Sequence, residues 1–182
     1  MLGYIILGIV ALLVLYGISA YNGFVTLRNR VRNAWAQIDV QLKNRADLIP
    51  NLVETVKGYA SHEKETLDQV VKARSSVLSA NTPQESMEAN DMLSQALSRL
   101  MVVVEAYPEL KANTNFLGLQ DNLRDIEDKI RYARQFYNDT VLKYNTRIET
   151  FPNNIFAAMF GFREEAFFKA DEGDREVPRV QF

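Results

Sequence analysis

Few side chains in this sequence could do chemistry, and their spacing argues against it. His62 is the sole histidine, and Glu63 follows it. That pair opens the pattern in which two imidazoles one helical turn apart bind zinc and a glutamate activates water. The chain continues Lys64-Glu65-Thr66, so the second imidazole is absent and His62 reads as a surface or hinge residue. Asp121, Asp125, Glu127 and Asp128 crowd one stretch, and paired carboxylates can bind cations or move protons. Arg124, Lys129 and Arg131 interleave them. The i,i+4 spacing of Asp125–Lys129 and Glu127–Arg131 predicts a solvated face laced by ion pairs. There is no cysteine, which removes disulfides, thiolate metal sites and thiol lipidation. No glycine-rich phosphate loop or nucleophile elbow occurs. The expectation is a protein that is not an enzyme, with no catalytic, cofactor-binding or metal-ligating residues. A net charge of −2 without a long basic run gives no footprint for nucleic acid.

With little chemistry to position, the elements themselves carry the reading. Leu2 to Tyr21 is apolar and uncharged, and the first charge is Arg28. About 20 helical residues cross the ~30 Å hydrocarbon core, so residues 2–21 are expected to form a transmembrane anchor in contact with the lipid bilayer. Tyr4, Tyr16 and Tyr21 lie toward its ends, where amphipathic rings favour the interface. A cleavable signal peptide needs a basic start and a shorter apolar core, and neither is present. Arg28, Arg30 and Arg32 follow the span and nothing basic precedes it. The positive-inside rule then sets the topology: N-terminus outside, the remainder in the cytoplasm.

From Val31 the apolar residues recur in steps of four and three: Val31, Trp35, Ile38, Leu42, Arg45, Ile49, Leu52, Val56, Tyr59 and on to Val77. This is the spacing of a helix packed against helices. Pro50 predicts a kink over residues 46–50. Beyond it the helix either runs on to about residue 80 or breaks near Ser61-His62. Thr82, Pro83 and Glu85 spell a capping box opening a helix that ends before Pro108. Asn113 to Asn115 offer caps for a long seam from Phe116 to Phe151, and a short helix from Asn153 to Phe160 follows. No stretch alternates with period two. The fold expected is all-α: a transmembrane helix (1–22), a four-helix up-and-down bundle with long coiled-coil-like helices (23–168) and a polar tail (169–182).

Three features suit partners more than chemistry. Arg45 and Glu63 interrupt the apolar seam. Eighteen positions separate them, ~27 Å along a helix, so they cannot pair with each other. Each faces either another helix of the bundle or a partner chain. Tyr137-Asn138 and Tyr144-Asn145 lie one heptad apart, with tyrosines filling the core or lining a groove. Seven of the ten phenylalanines follow residue 150, so that segment must bury large apolar groups somewhere. Phe156, Met159, Phe160, Phe162, Phe167 and Phe168 are its candidates for self-association or partner contact. Capping the end of the bundle and touching the membrane surface remain open beside that.

The run AWAQIDVQLKNRADLIPNLVETVKGYASHE (34–63) resembles the hallmark segment of the LemA family. YPELKANTNFLGLQ (107–120), the Tyr-Asn pairs at 21–22, 137–138 and 144–145, FPNN (151–154) and the closing VPRVQF are similar to it as well. The resemblance implies a bacterial single-pass inner-membrane protein with a bromodomain-like four-helix bundle and no established activity. It also implies partners among membrane proteases of the HtpX type or membrane proteins with a TPM domain. The expected function is a membrane-anchored scaffold or adaptor that binds protein partners and self-associates as a homo-oligomer. The alternatives are an extracytoplasmic sensory bundle, a membrane-shaping self-assembling protein and an unrecognised hydrolase.

Overall fold

The apolar N-terminal run joins the heptad seam with no proline between them, only Asn22-Gly23 as a weak point. A computed structural model, which describes residues 1–168, accordingly shows one 56-residue helix, α1 (Leu2–Lys57). The expected polar tail and the closing VPRVQF fall in 169–182, outside the described residues. After α1 come α2 (Lys64–Ser79), α3 (Pro83–Glu105), the single turn α4 (Pro108–Lys111), α5 (Thr114–Glu149) and α6 (Asn153–Phe160). The described residues contain no strand, and the fold is all-α with six helices.

Pro50 does not end α1 and sits on its exposed side. Proline deprives the carbonyl four residues back of its donor. That carbonyl belongs to Ala46, and the Arg74 Nε of α2 donates to it at 2.9 Å. The break comes instead at Gly58, where the Tyr59 and Ala60 amides turn back onto the Val56 carbonyl. Of the two courses the sequence left open, the chain takes the break. His62 is exposed in this turn.

The capping box forms as read. The Thr82 hydroxyl accepts from the Glu85 amide at 3.2 Å, and the Glu85 carboxylate accepts from the Thr82 amide at 3.3 Å. Asn113 Oδ1 accepts from the Phe116 amide at 3.0 Å and holds the first turn of α5. α5 stops at Glu149, so Phe151 drops out of the seam and is 76% exposed.

The described chain divides into two compact units, and both α1 and α5 contribute to each. One comprises Met1–Trp35 with Gln135–Phe168. Its core is Phe24, Val31, Ala34, Tyr137, Val141, Tyr144, Ile148, Phe162 and Phe168. The helix α1 packs on α5 there, with Trp35 edge-on to Tyr137 at 5.7 Å. The other comprises Ala36–Arg134. Ile38, Leu42, Ile49, Leu52 and Val56 of α1 are buried in it, as are Val70 of α2, Leu93 and Leu100 of α3, Leu110 of α4 and Phe116 and Ile130 of α5. Burying such large aliphatic and aromatic groups contributes about 1.5–3 kcal/mol each.

Candidate interaction site

An asparagine amide presents one acceptor and one donor side by side, as a peptide group does. Asn138 and Asn145 on α5 use both. Asn138 Oδ1 accepts from the Phe168 amide at 2.8 Å, and its Nδ2 donates to the Phe168 carbonyl at 3.0 Å. Asn145 treats Glu165 the same way, at 3.0 and 2.9 Å. The hydroxyls of Tyr137 and Tyr144 donate to the carbonyls of Ala166 and Arg163, each at 2.9 Å.

Spacing explains the match. One heptad of helix rises ~10.5 Å. Three residues of extended chain cover about 10 Å. Glu165 to Phe168 and Arg163 to Ala166 are each three steps, so residues 163–168 lie along α5 in register with both Tyr-Asn pairs. Burial raises the hydroxyl pKa of both tyrosines, and the nearby charge of Glu165 raises it further; for Tyr144, Arg28 and Arg32 pull the other way. The sequence showed the paired spacing but gave no sign that the partner was this chain's own backbone.

Aromatic rings continue from this strap along α1. Phe168 stacks on Trp35 at 6.2 Å. Phe162 meets Phe24 at 5.2 Å and Tyr21 at 5.7 Å, and the Arg28 guanidinium lies 4.9 Å over its ring. Phe160 is 5.1 Å from Tyr21. Phe156 is 5.5 Å from Tyr16, whose hydroxyl donates to Asn153 Oδ1 at 2.9 Å. Gly17 makes room for this approach, since a Cβ there would lie 3.0 Å from the Phe156 ring.

The Phe-rich candidates therefore separate. Phe162 and Phe168 are buried and Phe156 is half-buried against α1, while Met159, Phe160 and Phe167 are exposed. Of the three arginines expected to set the topology, Arg28 is half-buried against Phe162, whereas Arg30 and Arg32 are exposed.

Arg45 and Glu63 are not brought together. Arg45 is buried; it donates to Asn90 Oδ1 at 2.9 Å and Ser94 Oγ at 3.0 Å on α3, and forms an ion pair with Glu127 of α5. Glu63 accepts from the Tyr107 hydroxyl at 3.4 Å. The expected Glu127–Arg131 pair is corrected by this arrangement: Glu127 turns to Arg45, and Arg131 pairs with Asp128 at 2.7 Å. The partners missed in the sequence were Asn90 and Ser94, small polar groups one turn apart beside the apolar seam of α3. Among the described residues no three His, Asp or Glu side chains converge as a metal-binding set.

The LemA family model matches residues 34–182, more than half of the chain. The chain belongs to the LemA family. Among LemA-family relatives, it is 26% identical over 155 residues to Protein LemA of Metamycoplasma hominis, covering 85% of this chain and 71% of that protein. It is 25% identical over 184 residues to Magnetosome protein MamQ of Magnetospirillum gryphiswaldense, covering 86% and 68%. Against Magnetosome protein MamQ 2 of Paramagnetospirillum magneticum the identity is 25% over 175 residues, covering 82% and 64%. The LemA match begins at Ala34 and so takes in the Tyr-Asn pairs at 137–138 and 144–145 and the strap, while Tyr21-Asn22 and the apolar run at the N-terminus precede it.

Proposed function

We propose that this LemA-family chain is a membrane-anchored helical scaffold or adaptor that binds protein partners and itself. One observation carries the reading. α1 contains a window long and apolar enough to cross a membrane, and only 6% of that window is buried by the rest of the chain. The same helix continues without interruption as a core element of the packed helices. An anchor built this way is continuous with a core helix of its bundle, as suits a platform for other proteins at the membrane.

The finer features belong to the same proposal. The membrane is the bacterial inner membrane. The N-terminus faces outward and the helices after Arg28, Arg30 and Arg32 face the cytoplasm. The bundle is of the bromodomain-like four-helix type. Exposed apolar side chains such as Val102, Tyr132 and Phe136 supply contact area for partners. Membrane proteases of the HtpX type and TPM-domain membrane proteins are the partner classes that the family resemblance suggests.

Affinity purification of the full-length chain from native membranes in mild detergent, with sizing and mass spectrometry on the same sample, tests the reading. A defined hetero-complex or homo-oligomer is expected. A sharply monomeric protein with nothing attached overturns it.

A further inference from the structure

We propose that α6 lies in the bilayer interface, with Phe151, Ile155 and Met159 against lipid. The proposal rests on the reading of α1 as a membrane span and adds a second membrane contact to it.

The charge-free run Leu2–Leu27 is ~39 Å long as a helix, against ~30 Å of hydrocarbon. Its last part must therefore emerge from the lipid core. α6 covers α1 at that level: Phe156 against Tyr16 and Gly17, Phe160 against Tyr21, and the Tyr16 hydroxyl bonded to Asn153. A span that begins near Leu2 puts Tyr16 and Gly17 ~8 Å inside the cytoplasmic edge of the hydrocarbon, and these contacts fix α6 at the same height.

Chemistry points the same way. From Thr150 to Phe162 there is no charged residue, and the nearest charges are Glu149 and Arg163. Asn153 and Ala157 turn inward and are buried, and Phe156 and Phe160 meet α1. One uncovered face bears Ile155 and Met159 at i,i+4, 57% and 65% exposed, with Phe151 beside them at 76%. The other uncovered stripe, Asn154 and Ala158, lies beside Glu149, Arg163 and Glu164, so the helix has one side suited to water and one suited to lipid. Eight residues are too few to cross a membrane but enough to lie in its plane with apolar groups in the acyl boundary. The cation over Phe162 comes from Arg28, the first charge after the span, so basic groups begin where α6 ends.

The chain has no cysteine, so single labels are direct. Full-length Ile155→Cys and Met159→Cys, carrying an environment-sensitive fluorophore, are reconstituted in phosphatidylethanolamine–phosphatidylglycerol vesicles. Some of the lipid is spin-labelled near the headgroup end of the acyl chain. Ile18→Cys reports the span and the exposed Ser75→Cys reports water, and helical content by circular dichroism shows that each variant folds. Lipid quenching at 155 and 159 comparable to that at 18, with weak quenching by aqueous iodide, is expected. Labels at 155 and 159 that behave like the one at 75 overturn the proposal. So do labels shielded from both quenchers, which mean that protein covers this face. If the label at 18 escapes lipid quenching, the span reading itself fails, a result distinct from failure at 155 and 159 alone.

Discussion

Pro50 removes a backbone donor from α1, and Arg74 of α2 returns one to the stranded Ala46 carbonyl. A buried carbonyl left without a donor costs about 1–3 kcal/mol. Arg74→Met keeps the apolar stem and loses the donor, so urea denaturation should show a loss of that size. In a Pro50→Ala background the Ala46 carbonyl regains its helical donor, and the same substitution should cost less than about 1 kcal/mol. Equal costs in both backgrounds would mean that Arg74 acts through packing alone. Tyr137 and Tyr144 make a second residue-scale prediction, about pH. Their hydroxyl pKa values are raised above the ordinary value, by burial first and by Glu165 second. The folded chain therefore holds these protons after the unfolded chain has released them. The resulting stability is fully present below about pH 10 and is lost as pH rises through the folded values. Tyr144→Phe should cost about 1 kcal/mol at neutral pH, through the lost bond to Arg163, and flatten the alkaline decline in melting temperature. A decline as steep as that of the unsubstituted chain would remove Tyr144 from the explanation.

At the scale of elements, what the sequence disclosed depended on periodicity. Ile38, Leu42, Ile49, Leu52 and Val56 announce their helix because packing against neighbouring helices imposes a repeat on them, and all five are buried. The capping box at Thr82 and Glu85 was legible because its partners are three residues apart. Residues 163–168 have no such signal. Their backbone is paired by side chains 19 to 30 positions away, and an extended strap bound by amides and hydroxyls imposes no repeat on its own sequence. The exposure of Phe151 was hidden for the opposite reason: it keeps the heptad spacing of α5 but falls past the last turn. The strap is also where the element-scale prediction lies. Each asparagine makes two backbone bonds, each contributing about 0.5–1.5 kcal/mol. Asn138→Leu with Asn145→Leu should release the segment and speed amide hydrogen exchange at Glu165 and Phe168, leaving exchange in α2 and α3 unchanged. Unchanged protection at Glu165 and Phe168 would mean that the rings of Phe162 and Phe168 alone hold the strap.

At the scale of the molecule, everything rests on α1 being anchor and core helix at once. An apolar stretch of this length joined to a packed seam leaves the chain a choice between lipid and water only at its N-terminal end, where the side chains are uncovered. On the proposed topology, the basic residues after this stretch decide which side receives the rest. The absence of cysteine lets one labelling experiment read both properties in living cells. Single cysteines at Leu2 and at the exposed Ser75 of α2 are treated with a membrane-impermeant maleimide, before and after permeabilisation. Labelling of Leu2→Cys in intact cells, with Ser75→Cys labelled only after permeabilisation, is the predicted result. Labelling of Ser75→Cys in intact cells, or equal labelling of both sites throughout, would contradict a cytoplasmic bundle held by a single span.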